Sequence, residues 1–100
     1  MKLRQLQYIV TIADCGLNIT AAADRLHTCQ PGISKQLKLL EEELGFEIFV
    51  RNGRSLSQIT PAGRQVVAHA RAIVDEAEGI RRLCRRLAHP GEDRRHAWNR

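Results

Sequence analysis

The sequence is poor in aromatic residues and contains no long apolar segment. Only 4% of its 100 residues are Phe, Trp or Tyr, so a core has to be built mainly from Leu, Ile, Val and Ala. A chain of this length forms one domain with a small core, which often depends on a partner subunit for stability. No apolar segment approaches the roughly 18 residues of a membrane span. Arg4, Gln5 and Gln7 also interrupt the apolar N-terminal stretch that a signal peptide requires.

The three cysteines, Cys15, Cys29 and Cys84, are odd in number and far apart. We therefore expect a protein of the reducing cytoplasm without a disulfide framework. The sequence has no Cys-x-x-Cys or His-x-x-x-His pair to close a metal site. It also has no nucleophile–base constellation and no Gly-rich phosphate loop. We expect no catalytic residue, no metal, no cofactor and no enzymatic activity.

Acidic residues are outnumbered by basic ones. The chain has 16 Lys and Arg against 11 Asp and Glu, a formal net charge of +5 and a pI near 9.7. This surplus favours a polyanionic partner, because Lys and Arg release condensed counterions when they bind phosphates.

Apolar spacing of three and four predicts a first amphipathic helix over residues 2–14, which Cys15-Gly16 ends. Asn18 or Thr20 can cap a short second helix that closes at Leu26. Its three consecutive alanines allow a close approach to a neighbouring helix.

A third helix is predicted over residues 30–44, with Pro31 in its first turn and Gly45 after its end. Its apolar stripe is Ile33, Leu37, Leu40 and Leu44. Only residues 27–29 separate it from the second helix, which is the spacing of a tight turn.

After the third helix, the spacing of apolar residues changes to that of a small β-hairpin. Residues 47–51 and 55–59 are short strand candidates, and the second alternates polar and apolar side chains. Asn52-Gly53 between them predicts a tight turn, since both residues tolerate positive φ.

Thr60-Pro61 predicts the start of a long helix that runs to about Ala88. Its length of about 42 Å at 1.5 Å per residue exceeds what so small a core can cover. We therefore predict that the apolar residues at heptad spacing on this helix, here called the seam, pair with a second subunit. The alternative is that they pack onto the chain's own core. The seam residues are Val66, Ala70, Ile73, Ala77, Ile80, Cys84 and Leu87.

This order predicts a mainly α fold, a winged helix-turn-helix of three helices and a two-stranded β wing, followed by a long linker helix. We expect residues 1–60 to form a DNA-binding domain, 61–88 a dimerisation helix and 89–100 a polar tail without fixed structure. In such a fold the third helix enters the major groove.

The third helix separates its charges, with Gln30, Ser34, Lys35 and Lys38 in the first half and residues 41–43, all Glu, in the second. Gln and Lys can read base edges, and Ser or Lys can bind phosphate. We expect Arg51 and Arg54 at the wing to lie in a minor groove or clamp phosphates. An ordinary solvated face is the alternative for the helix, and we interpret Glu41 to Glu43 as a solvated helix end.

Four segments together resemble the LysR-type transcription regulators in order and spacing, over about residues 1–88. They are residues 3–9, 20–36, 40–51 and 60–63. The resemblance implies a dimer through antiparallel linker helices, tetramers in a full-length parent, and binding to interrupted palindromes in promoter DNA. It places DNA contacts at Gln30, Pro31, Ser34 and Lys35 and assigns the wing arginine to Arg51; the neighbouring Thr28 and Cys29 complete the predicted set.

Residues 17–20 and 30–36 resemble the CysB-like subgroup, which implies control of sulfate assimilation and cysteine synthesis. Two departures stand out. Cys29 replaces the family's usual Ser and is a poor N-cap. We therefore expect either that Thr28 caps the third helix instead or that the first turn of this helix is looser. The family's effector-binding domain is not within these 100 residues, so we expect no small-molecule site.

Two alternatives remain open at this point. The chain can act as an interaction protein that pairs its seam with a full-length relative. It can also be a metal- or redox-sensing repressor, with Cys29 as the reactive thiol because a helix N-terminus lowers thiol pKa.

Overall fold

The computed structural model describes residues 1–53 and 55–88 and contains four helices and one antiparallel hairpin in those ranges. The elements are α1 (Leu3–Asp14), α2 (Ile19–Arg25), α3 (Gln30–Leu44), β1 (Phe49–Asn52), β2 (Ser55–Ile59) and α4 (Pro61–Ala88). This order confirms the predicted winged helix-turn-helix fold. Arg54 and the predicted tail over 89–100 lie outside the described residues. No helix in the described ranges is both long and apolar enough to cross a bilayer.

The core lies between α1, α2, α3, the start of β1 and the first half of α4. It is mostly aliphatic, as the scarcity of aromatic residues predicts. Ala22 and Ala23 of α2 are buried, so small side chains allow this helix to lie close to its neighbours. The largest fully buried side chains are Phe49, Ile9, Ile12, Ile33, Leu37, Leu40 and Ile48.

Helices α1 and α2 end in the same hydrogen-bonded motif. After α1, Gly16 has a φ of 66° and the Leu17 N–H donates to Ile12 O at 2.9 Å. After α2, His27 has a φ of 54° and the Thr28 N–H donates to Ala23 O at 3.0 Å. A left-handed residue with this bond is the Schellman ending, which turns the chain sharply. It sets the short turn between α2 and α3.

The hairpin differs from its prediction by one to two residues. Strand β1 begins at Phe49 rather than Glu47 and includes Asn52, which pairs with Ser55. The prediction that Asn52 belongs to the turn is therefore wrong, because backbone pairing extends one residue further. Gly53, with a φ of 66°, follows directly after the strand.

Thr60 fixes the start of α4 to the two residues that precede β1. Its hydroxyl accepts the Gly63 N–H at 2.9 Å and donates to Glu47 O at 2.7 Å, while its own N–H donates to Ile48 O at 2.9 Å. Thr60 is thus the N-cap that the sequence predicts, and it also ties the helix to the residues that lead into β1.

Helix α4 has one end in the core and one end outside it. Gly63, Val67 and Ala70 are buried, Val74 is half-buried, and Ile80 is 63% exposed. The described residues extend 55 Å along the longest axis against 25 and 19 Å along the others. The second half of α4 therefore lacks cover from the rest of the described chain.

A surface ion pair joins the end of α1 to α4. Arg71 Nη2 lies 2.8 Å from Asp14 Oδ1, and both side chains are about two-fifths exposed. The hydrogen bond from Arg71 and its positive charge lower the pKa of Asp14 below its ordinary value. The same pair raises the pKa of Arg71.

Candidate nucleic-acid interface

Helix α3 presents its predicted contact residues on one face and its apolar stripe on the other. Ile33, Leu37 and Leu40 are at most 2% exposed, while the predicted contact residues Gln30, Pro31, Ser34, Lys35 and Lys38 are all exposed. At about 100° per residue, these five side chains span an arc of roughly 140°. The burial of one stripe thus directs the polar and basic side chains outward.

An open cleft of about 550 Å³ separates this face of α3 from the hairpin. It brings together four of the predicted helix residues with one predicted wing residue: Gln30, Pro31, Ser34, Lys38 and Arg51. Gly53, Ser55 and Leu56 complete the wing side, and sequence reasoning did not single them out as contacts. Lys35 and Cys29 are exposed but do not line the cleft.

The N-terminus of α3 is left without a side-chain cap. Cys29 occupies the N-cap position in extended geometry, with φ −98° and ψ 156°, and makes no side-chain capping hydrogen bond. The first helical bond runs from the Ile33 N–H to Cys29 O at 3.2 Å. With Cys29 in place of Ser, the helix lacks a side-chain cap but still begins at Gln30. Thr28 does not replace Cys29 as the N-cap residue.

Glu41 is buried, contrary to the expectation of a solvated helix end. Its Oε2 accepts the Ile48 N–H at 2.7 Å and the Phe49 N–H at 3.3 Å. Its Oε1 accepts from Arg51 Nη2 at 2.8 Å, and the Glu41 side chain is only 8% exposed. One carboxylate therefore joins α3 to the backbone and the arginine of β1.

The sequence alone does not establish this role, because at about 100° per residue Glu41 has nearly the phase of Gln30 and Ser34, which are exposed. Glu41 follows Leu37 by four residues and Leu40 by one, so it lies at the edge of the apolar stripe. Glu42 and Glu43 point away from that stripe and are exposed, as expected. The three glutamates are therefore not equivalent.

A second link, also missed from the sequence, holds α3 against α1. Gln5 is 7% exposed, and its Nε2 donates to Gln36 Oε1 at 3.1 Å. Its Oε1 accepts the Lys2 N–H at 2.9 Å, so both ends of the buried amide are satisfied. This bond helps to fix the rotation of α3 about its own axis.

The predicted seam of α4 divides into a covered and an uncovered part. Ala70 is 1% exposed because it packs into the chain's own core, so it offers a second subunit almost no surface. Val66, Ala77 and Leu87 are half-buried, Ile73 and Ile80 are 44% and 63% exposed, and Cys84 is exposed. An apolar groove of about 430 Å³ beside the seam includes Met1 and Phe46.

Potential metal ligands do not converge in the described ranges. No group of three or more His, Cys, Asp and Glu side chains there is arranged to hold a metal ion. Cys15 is half-buried, and neither it nor Cys29 or Cys84 forms a disulfide.

Sequence comparisons place the chain among bacterial regulators. Residues 3–64 match the family model described as "Bacterial regulatory helix-turn-helix protein, lysR family". The transcriptional regulator CysB of Haemophilus influenzae is 50% identical over 90 residues, which cover 90% of this chain and 28% of that protein. The regulator cbl of Klebsiella aerogenes is 41% identical over 83 residues, covering 83% and 26% of the two chains. The chain thus spans about a quarter of the length of these relatives.

Solved structures agree with this placement. The BenM DNA-binding domain in complex with catB site 1 DNA has a TM-score of 0.78 and 33% identity, and the match covers 92% of this chain and 99% of that one. The CbnR DNA-binding domain in its DNA complex has a TM-score of 0.74 and 36% identity, covering 89% and 100%. The chain belongs to the LysR family of bacterial regulatory helix-turn-helix proteins and carries that family's helix-turn-helix domain.

Proposed function

We propose that the chain binds promoter DNA in a sequence-specific manner, with α3 in the major groove and the hairpin on the flanking groove. The observation that carries this proposal is the cleft in which Gln30, Ser34 and Lys38 of α3 face Arg51 of β1. Gln and Lys can bond base edges, and Ser and Arg can hold phosphates. Thr28, Cys29, Pro31 and Lys35 belong to the same surface, which residues 1–60 build; Arg54 is the remaining predicted contact.

The chain acts as a homodimer through residues 61–88. Ile73, Ile80 and Leu83 are large apolar side chains that are 44%, 63% and 44% exposed on α4. Apolar surface of this kind, rimmed by polar residues, is typical of protein interfaces. Because Ala70 is covered by the chain's own core, the contact is made by Val66, Ile73, Ala77, Ile80, Cys84 and Leu87. Two helix-turn-helix units then face two half-sites of a palindrome.

The regulated genes belong to sulfur and cysteine metabolism. The resemblance of residues 17–20 and 30–36 to the CysB-like subgroup supports this assignment. The 50% identity to a CysB protein over 90 residues supports it further.

A binding titration tests the function. The chain is titrated into a labelled promoter duplex from a sulfate-assimilation gene and into a random-sequence duplex, each at two salt concentrations. Base readout predicts tighter binding to the promoter at both concentrations, because only the phosphate contacts weaken steeply with salt. Equal and steeply salt-dependent binding to both duplexes contradicts sequence-specific recognition. Absence of binding contradicts the DNA-binding function.

A further inference from the structure

The buried carboxylate of Glu41 lies beside a surface that has to approach a polyanion. An exposed carboxylate there would repel phosphates, yet Glu41 contacts Arg51, which lines the cleft. Its side chain is 8% exposed, and that of Arg51 is 36% exposed. The anion is therefore shielded and neutralised, and the arginine retains an accessible part.

We propose that Glu41 is a positioning residue for DNA binding, which aims Arg51 into the cleft and fixes the hairpin relative to α3. The inference rests on the proposed DNA-binding function. One oxygen of the carboxylate accepts two successive backbone N–H groups where the hairpin begins, those of Ile48 and Phe49, and the other oxygen holds the arginine. A long flexible side chain is thereby fixed in one orientation before the DNA arrives.

The planar guanidinium suits this double role. Its donors form a rigid fork, so one edge can hold a carboxylate while the remaining N–H groups bind a phosphate or a groove edge. The carboxylate restricts the rotamers of the arginine in the free protein. DNA binding then loses less side-chain entropy, so this preorganisation strengthens association. Glu41 thus favours DNA binding although its own charge opposes it.

The direction in which DNA affinity changes distinguishes Glu41 from its neighbour Glu42. Glu41→Gln and Glu42→Gln each remove one negative charge from α3, and Glu42 is exposed. If only charge matters, both variants bind DNA as tightly as the wild type or more tightly. If Glu41 positions Arg51, Glu41→Gln raises the Kd for the promoter duplex about tenfold and reduces the magnitude of the salt slope by about 0.9, the value of one phosphate contact.

The experiment measures Kd and salt slope for the full chain and its variants on the promoter and random duplexes. Arg51→Ala is expected to lose as much affinity as Glu41→Gln, and the double variant no more than either. Arg51→Lys keeps the charge and the backbone bonds of Glu41 but lacks the fork, and we expect it to bind nearly as weakly as Arg51→Ala. This variant gives the answer if Glu41→Gln unfolds.

Three results overturn the inference while leaving the proposed function intact. They are wild-type affinity and salt slope in a folded Glu41→Gln, additive losses in the double variant, and wild-type binding by Arg51→Lys. A wild-type chain that binds neither duplex overturns both the inference and the function. Circular dichroism of each variant separates lost binding from lost folding.

Discussion

Gly63 of α4 lies against the backbone of Ile48, so closely that a Cβ at position 63 would come within 2.7 Å of Ile48 Cα and overlap its carbonyl oxygen. Neither backbone can move easily, because the Thr60 N–H also bonds to Ile48 O at 2.9 Å. We expect Gly63→Ala to lower the free energy of unfolding by about 2–3 kcal/mol, in the range of overpacked cores. Urea denaturation at fixed protein concentration measures this.

Gly79 supplies the matched control in the same helix. The nearest atom to its Cβ position is Arg82 Nη2 at 3.8 Å, an ordinary contact. Gly79→Ala should therefore raise the free energy of unfolding by about 0.5–1 kcal/mol, because alanine loses less backbone entropy in a helix. Equal effects of the two substitutions would contradict the close approach of α4 to the backbone of Ile48.

His27 adopts a left-handed conformation that costs an L-residue about 1–2 kcal/mol, with a φ of 54°. His27→Gly relieves this strain in the turn before α3, and part of the gain is offset by the entropy of glycine in the unfolded chain. We expect a net stabilisation of about 0.5–1 kcal/mol by urea denaturation. His69→Gly, within α4, should instead destabilise by about 0.5 kcal/mol, the difference between the helix propensities of His and Gly. Destabilisation by both substitutions would show that His27 is not strained.

The Asp14–Arg71 pair makes stability depend on pH at the acid end. Because the folded state lowers the pKa of Asp14 from 3.8, the unfolded state binds more protons in that range and stability rises with pH. The contribution is complete above about pH 3.8 and is lost as the pH falls through the lower folded value. Since both side chains are substantially exposed, it should not exceed about 1 kcal/mol.

Asp14→Asn should accordingly flatten the acid limb of a plot of unfolding free energy against pH. Asp24→Asn, on exposed α2 surface, is the matched control for the removal of one carboxylate. An Asp14→Asn curve that parallels the wild type below pH 5 would show that the ion pair contributes nothing in solution.

Because part of the α4 seam is uncovered, we predict a dimer through this part, which one introduced charge should disrupt. Ile73 is 44% exposed in the single chain, and burying a glutamate there against a second subunit leaves an unpaired charge. Ile73→Glu should therefore sediment as a monomer, whereas Ala72→Glu, one residue along on exposed surface, should remain dimeric. A monomeric wild type, or a dimer that survives Ile73→Glu, would show that the seam is misassigned.

Local signals were sufficient to predict the helices. The bounds of α3 agree with the sequence because Pro31 can stand only in a first turn and Gly45, with a φ of 91°, favours the left-handed stop. The start of α4 follows in the same way from Thr60-Pro61. In each case the deciding residues are adjacent in sequence.

Features that depend on long-range packing were harder to predict. Gln5 and Gln36 meet across α1 and α3, and nothing in either local pattern predicts their 3.1 Å bond. Ala70 fits the seam by its heptad position, yet the first half of α4 packs into the chain's own core and buries it. Glu41 was misinterpreted because its phase on α3 is close to that of the exposed Gln30 and Ser34, and only its bonds to residues 48, 49 and 51 account for its burial.

The DNA-binding surface is tested most directly by nuclear magnetic resonance of the ¹⁵N-labelled chain during titration with the promoter duplex. The largest shifts are expected at the amides of Gln30, Ser34 and Lys35 at the start of α3 and of Arg51 in β1. Shifts concentrated instead at Arg82, Arg85 and Arg86 near the end of α4, with α3 unchanged, would contradict recognition through α3.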